Sequence, residues 1–247
     1  MQLENKNVVV IGGSRGLGRV IAQTAQQEGA RVLVVARGED SLAEVERDLP
    51  GVQTLTADAT REETPGKVFR ALRPDVLVVC GGAMPPLSPI HEQTWEEFSR
   101  NWDSDVRSSF LFCQAALKLP LAPGAVIILI SSGAAVAGSA ISGGYAGSKR
   151  TQMFMADYCQ SESERADLGL RFVAIAPGRI MAETELGKAA IAGYAARLGI
   201  SEADFIQSMG FPPTLQQVAD ALVEAATTPG AKSGNVFLVS GKGVEPF

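Results

Sequence analysis

Short runs rich in Val, Ile and other β-branched residues, most of them nearly uninterrupted apolar stretches, recur at residues 8–11, 31–36, 52–56, 76–80, 126–130, 172–175 and 236–239. Between them lie longer stretches with helical spacing of apolar positions, starting near Leu17 and Ser41 and covering 98–117, 146–166 and 215–226. Strands that are apolar on both faces need cover on both faces, and the intervening helices supply it. The pattern predicts an α/β fold: a doubly wound parallel sheet with helices on either side.

No polar or Gly/Ser-rich linker divides the chain and no repeat of fixed period is visible, so residues 1–247 read as one domain. The stretch 183–211 is long for a connection. Its Leu186, Ile191, Tyr194, Leu198, Phe205, Ile206 and Met209, mixed with polar residues, predict a helical flap over a substrate site.

Hydrophobic residues at 46% and charged residues at 20% are ordinary for a globular protein, and a net charge of -5 gives no reason to expect nucleic acid or an anionic membrane as partner. The first residues lack the marks of a signal peptide and no apolar run is long enough to span a bilayer. Cys80, Cys113 and Cys159 are odd in number and scattered without metal-ligand spacing, so no metal is expected and a cytoplasmic location is.

Candidate chemistry begins after the first strand, in Gly12-Gly13-Ser14-Arg15-Gly16-Leu17-Gly18. Glycines at 12, 16 and 18 allow close approach of backbone N–H groups and a helix N-terminus to a pyrophosphate. Alone, such a turn also serves simply to join a strand to a helix. Further along, Ser132 follows a strand, and Tyr145 and Lys149 stand at i and i+4 on one helix face. An ammonium beside a phenol favours the phenolate, which predicts a Tyr145 pKa drawn down from roughly 10. Tyr145 would then exchange a proton with a carbonyl or alcohol oxygen, and Ser132 would hold that oxygen by a hydrogen bond. Taken singly, the Tyr/Lys pair is more often a surface pair, and Ser131 and Ser132 merely end a strand. Their joint occurrence with the glycine turn favours catalysis.

With these motifs the chain resembles the short-chain dehydrogenase/reductase superfamily, whose members combine a T-G-x-x-x-G-x-G turn with a downstream Tyr-x-x-x-Lys. Here the turn has Ile11 in place of Thr, and the active-site match is Ser132 with Tyr145-Ala146-Gly147-Ser148-Lys149. The resemblance runs from residue 8 to 243. It implies a Rossmann-type fold, with Lys149 on the nicotinamide ribose, Asp58 on the adenine amino group, and Pro177, Gly178 and the Ile180 backbone at the nicotinamide. It also implies a homo-oligomer, dimer or tetramer, joined through the two long helices, to which Phe110, Phe112, Met153 and Phe154 contribute unless they are core.

Several positions depart from the family pattern. Its fourth catalytic residue, usually Asn, falls on Asp105, either a partner in a water-mediated relay from Lys149 or a carboxylate on the helix surface. The fourth-strand Asn-Asn-Ala-Gly is Val79-Cys80-Gly81-Gly82, in which Gly81 and Gly82 still admit a ribose to the backbone. The customary Thr after Ile180 is Ala182, for which Thr184 is a candidate substitute.

An acidic residue ending the second strand would accept from the adenosine ribose, but Ala36-Arg37 stands there. Arg37 and Arg15 together suit a 2′-phosphate, which favours NADP(H) over NAD(H), unless both are simply solvated. His91 makes no metal site or triad, Trp95 and Trp102 read as packing residues on one face, and Cys113 and Cys159 as buried thiols. The expected function is hydride transfer between NADP(H) and a small-molecule ketone, aldehyde or secondary alcohol. A non-catalytic dinucleotide sensor or scaffold of the same fold is the alternative. Nucleotide-sugar epimerase or dehydratase chemistry shares the Tyr/Lys pair but usually needs a larger C-terminal domain.

Overall fold

The computed structural model describes residues 1–119, 121–228 and 235–247. The strands β1 (Asn7–Ile11), β2 (Arg31–Ala36), β3 (Gln53–Thr56), β4 (Val76–Val79), β5 (Val126–Ile130), β6 (Arg171–Pro177) and β7 (Val236–Ser240) run parallel, and β8 (Gly243–Pro246) returns antiparallel on β7. They form one sheet in the order β3-β2-β1-β4-β5-β6-β7-β8. The chain winds outward from β1 to β3 and then, from β4, in the opposite direction, so the ends of β1 and β4 border a switch point, where doubly wound sheets bind ligands.

The two-residue period of β1 shows why both faces are covered. Val8 and Val10 join a core with Ile21 and Ala25 of α1 (Gly16–Gln27), Leu42 and Val45 of α2 (Glu39–Asp48), and residues of a helix near the C-terminus. Val9 and Ile11 point the other way, into a core with Val68 of α3 (Thr64–Ala71) and with residues of two longer helices. Alternate side chains thus reach opposite layers, and β5 is buried throughout.

The stretch expected as one helix over 98–117 is broken. Thr94 and Glu97 form a reciprocal capping box that starts α4 (Trp95–Asn101), a π-helical turn follows over Trp102–Val106, and α5 (Arg107–Lys118) resumes the α spacing. After β5 come the short α6 (Ala134–Ala137) and the long α7 (Gly143–Arg165). The segment 183–211 is helical as expected, in α8 (Glu185–Leu198) and α9 (Glu202–Ser208), with Gly199 left-handed at the end of α8 (φ 67°). A second capping box, Thr214 with Gln217, starts α10 (Leu215–Thr227), which packs on α1. Among the described residues no helix is long and apolar enough to cross a membrane.

The tryptophans correct the sequence expectation. Trp95 is 72% exposed and Trp102 40%, and Trp95 stacks on Phe98 rather than entering the core. Of the aromatic and Met residues offered for an interface, Phe112 and Met153 are core, while Phe110 and Phe154 face outward. Cys113 and Cys159 are buried as expected, at the contact of α5 and α7.

Candidate active site

The glycine turn is built for close packing. Gly12 has φ 78°, and a Cβ there would lie 2.5 Å from Cα of Gly81, at the end of β4. A Cβ on Gly18 would collide with the carbonyl oxygen of Gly12. At Gly16 (φ 52°) the space is open, with nothing nearer than a Thr184 methyl at 3.9 Å. No side chain caps α1 and no acidic residue occupies its first turn, so no side chain takes up its first amides, those of Gly16, Leu17 and Gly18, which follow Ser14 and Arg15. Bare amides and a positive helix end fit the pyrophosphate of a dinucleotide. Gly12→Ala is expected to cost about 2 kcal/mol or more in unfolding free energy, since it combines a left-handed φ with a backbone collision; denaturant titration checks it.

The adenosine end is charged. Asp58, following β3, is held below the usual carboxylate range chiefly by the Thr60 backbone N–H (2.9 Å) and then by the Thr60 hydroxyl (2.8 Å), with Arg37 and Arg61 nearby. Both bonds go to Oδ1, which leaves Oδ2 for an outside donor. Arg37 is exposed at the end of β2 and has no ion-pair partner among the described residues. Arg15 differs: its Nη1 lies 2.7 Å from Glu185 at the start of α8, tying the glycine turn to the flap.

At the other end, Ser132 follows β5 and its Oγ accepts from the Ala134 N–H (3.2 Å). The Ser132 hydroxyl neighbours that of Tyr145, and the Lys149 ammonium lies 5.6 Å from the Tyr145 ring centre. Lys149 donates to the carbonyl of Ile130 (3.0 Å) and meets Asp105 Oδ2 at 3.1 Å. Asp105 is 1% exposed, so the surface alternative fails. Lysine and aspartate touch directly.

The π turn explains how a carboxylate comes to be there. Its extra residue turns Asp105 inward, where Oδ1 accepts from the Ala83 N–H (3.0 Å), Asn101 Nδ2 (3.2 Å) and Ser104 Oγ (2.6 Å). Asn101 also donates to the Ala83 carbonyl (2.8 Å). The loop after β4, deprived of the family's asparagines, is therefore anchored by Asp105 and Asn101. Gly82 is needed for this, because a Cβ there would lie 2.6 Å from Asp105 Oδ2. Asn101, Ser104 and Gln152, which bonds Ser109 (2.8 Å) beneath the network, are neighbours of Asp105 that the sequence reading missed. Polar side chains spaced 101, 104 and 105 in an otherwise helical run were the available signal.

The expected fall in the Tyr145 pKa is not found. Burial raises it, and although Lys149 and Ser132 pull it down, Asp105 and Cys80 push it up, so the balance lies above the ordinary tyrosine value. Lys149 is lowered by burial but raised more by Asp105 and Tyr145, and ends above its ordinary value. Desolvation pushes the Cys80 thiol up to about 11, so it is a neutral neighbour.

Pro177 ends β6 and its carbonyl accepts from the Gly133 N–H (2.7 Å), which sets Gly178 and the half-buried Ile180 beside the serine end of β5. Thr184 does not stand in for the missing Thr: its hydroxyl donates to the Met181 carbonyl (2.9 Å) and accepts from the Gly187 N–H (2.8 Å) as the cap of α8. The flap itself touches the loop before α7, through Tyr194 and Ser139 hydroxyls 2.5 Å apart, and the Tyr194 ring stacks on Phe205 of α9.

Residues 6–194 match the family model for short chain dehydrogenases. Bovine (Bos taurus) L-xylulose reductase is 29% identical over 140 residues, 56% of this chain and 57% of the relative. Rabbit (Oryctolagus cuniculus) L-fucose dehydrogenase is 27% identical over 241 residues, 96% of this chain and 84% of the relative. Pig (Sus scrofa) carbonyl reductase (NADPH) 2 is 25% identical over 130 residues, 51% of this chain and 53% of the relative. The chain thus spans about half the length of the bovine and porcine relatives that it matches.

Proposed function

The chain belongs to the short-chain dehydrogenase family, and on that premise we propose that it is an oxidoreductase that passes hydride between NADP(H) and a ketone, aldehyde or secondary alcohol. The observation that carries this proposal is the cluster of Ser132, Tyr145 and Lys149 at the same C-terminal end of the parallel strands as the open glycine turn. The dinucleotide, when bound, supplies or takes up the hydride. Gly12, Gly16, Gly18 and the first amides of α1 hold its pyrophosphate, Gly81, Gly82 and Lys149 its ribose, and Pro177, Gly178 and Ile180 border its nicotinamide.

Tyr145 enters carbonyl reduction as the protonated phenol and gives that proton to the substrate oxygen, to which Ser132 donates a hydrogen bond. In alcohol oxidation it works in reverse, as a phenolate. Because the Tyr145 pKa lies above its ordinary value before ligands bind, oxidation is expected to speed up toward alkaline pH and reduction to slow there.

Arg37 is the better candidate for a 2′-phosphate, being without an ion-pair partner, whereas Arg15 must first leave Glu185. Arg37→Ala is expected to weaken NADPH binding by about tenfold or more, as for one lost charge-assisted contact, and to change NADH binding little. Titration of the purified protein, followed by emission of the bound reduced nicotinamide, tests the proposal. Tight NADPH binding with weaker NADH binding supports it, and preference for NADH overturns the NADP(H) assignment.

We further infer that residues 1–247 act as one cytoplasmic domain, with the flap over the substrate. Exposed Phe110 on α5 and the stacked, exposed Phe154 and Tyr158 on α7 support a homo-oligomer, dimer or tetramer, through these helices.

A further inference from the structure

A cavity of about 300 Å³ begins one residue beyond Ser132, at Gly133, and one beyond Pro177, at Gly178. Its volume falls in the range of small-molecule sites, about 300–1,000 Å³. Val136 and Ala137 of α6, Phe211 and Leu238 give its lining an apolar part. The charges on its lining are Arg179, Lys242 and Glu245, two cations against one carboxylate in a chain whose net charge is -5.

Both cations are available to a ligand. Arg179 directs one N–H to the carbonyl of Gly178 (2.9 Å), and Lys242 stands 4.4 Å from the centre of the Phe211 ring, but neither pairs with a carboxylate among the described residues. An Arg fork and a Lys point charge on the lining of a partly apolar cavity favour an organic anion over a neutral ligand.

Resting on the hydride-transfer reading, we propose that this cavity holds the far end of the substrate and that the preferred carbonyl substrate is an oxo acid. Its reacting carbonyl lies at Ser132 and Tyr145, its apolar body along Val136, Ala137, Phe211 and Leu238, and its carboxylate between Arg179 and Lys242. Glu245 disfavours a second acidic group on the same molecule.

Calorimetric titration of the full chain with 4-oxo-4-phenylbutanoate and with its methyl ester tests this without requiring turnover. The acid should bind about tenfold or more tightly than the ester. Arg179→Ala and Lys242→Ala should each erode that preference, Glu245→Gln should increase it, and Arg179→Lys, which keeps the charge without the fork, should fall between wild type and Arg179→Ala. Equal binding of acid and ester, no binding of the acid, or a preference that survives both alanine substitutions in folded protein would overturn it. Selective binding of the acid with no oxidation of NADPH by it or by any of a broad set of carbonyl compounds would instead uphold the cavity and overturn the hydride-transfer reading.

Discussion

Tyr145→Phe is expected to lower kcat for carbonyl reduction by about 10²–10⁴-fold, the range for removal of a general acid, with little change in NADPH affinity. Only the hydroxyl is lost. The ring remains in place, and the Ser132 hydroxyl keeps its contact with the Ala134 N–H. Stopped-flow oxidation of NADPH together with an equilibrium titration separates the two effects. A variant that binds the dinucleotide normally and turns over at the wild-type rate would remove Tyr145 from the chemistry. Wild-type protein that binds NADPH and turns over none of a broad set of carbonyl compounds would favour the sensor or scaffold reading.

The second large effect belongs to Asp105. Asp105→Ala leaves the buried Lys149 ammonium with the Ile130 carbonyl as its remaining polar contact, and removes the acceptor for Ala83, Asn101 and Ser104. Removing one partner of a buried ion pair typically costs about 3–5 kcal/mol, which urea unfolding at neutral pH would detect. Asp105→Asn should cost less, because an amide oxygen still serves the Ala83 N–H, but it lacks the charge that stabilises the ammonium. The Lys149 pKa is raised in the folded protein, so its contribution is fully present below the ordinary lysine value of 10.5 and is lost as pH rises through the folded value. The gap in stability between wild type and Asp105→Asn should therefore stay level through neutral pH and narrow only in strongly alkaline solution. Removing that negative neighbour should also lower the Tyr145 pKa and shift the pH profile of alcohol oxidation to lower pH.

How much of this was visible in the sequence differs from place to place for physical reasons. The parallel strands announce themselves because both faces are buried, which leaves runs such as Val126–Ile130 without polar interruption. The return strand β8, Gly243–Pro246, contains glycine, glutamate and proline and sits at the sheet edge, so it has no such signature. Helix α3 begins Thr-Pro-Gly and has only three buried residues, too few for a helical period to stand out. The glycine turn and the Ser/Tyr/Lys spacing are local patterns and were legible. The direction of the Tyr145 shift was not, because it is set by burial and by Asp105, which approaches from another helix through a π turn that spacing does not reveal. The engagement of Arg15 by Glu185 joins residues 170 apart and was likewise hidden.

Hydride transfer itself is tested most directly by following the transferred atom. Wild-type protein would be incubated with NADPH deuterated at the transferable position of C4 and with oxo acids and neutral ketones, and the products examined by mass spectrometry and NMR. The account predicts deuterium on the carbinol carbon of a product, lost together with turnover in Tyr145→Phe. Firm NADPH binding with no label transferred to any of these compounds would contradict it.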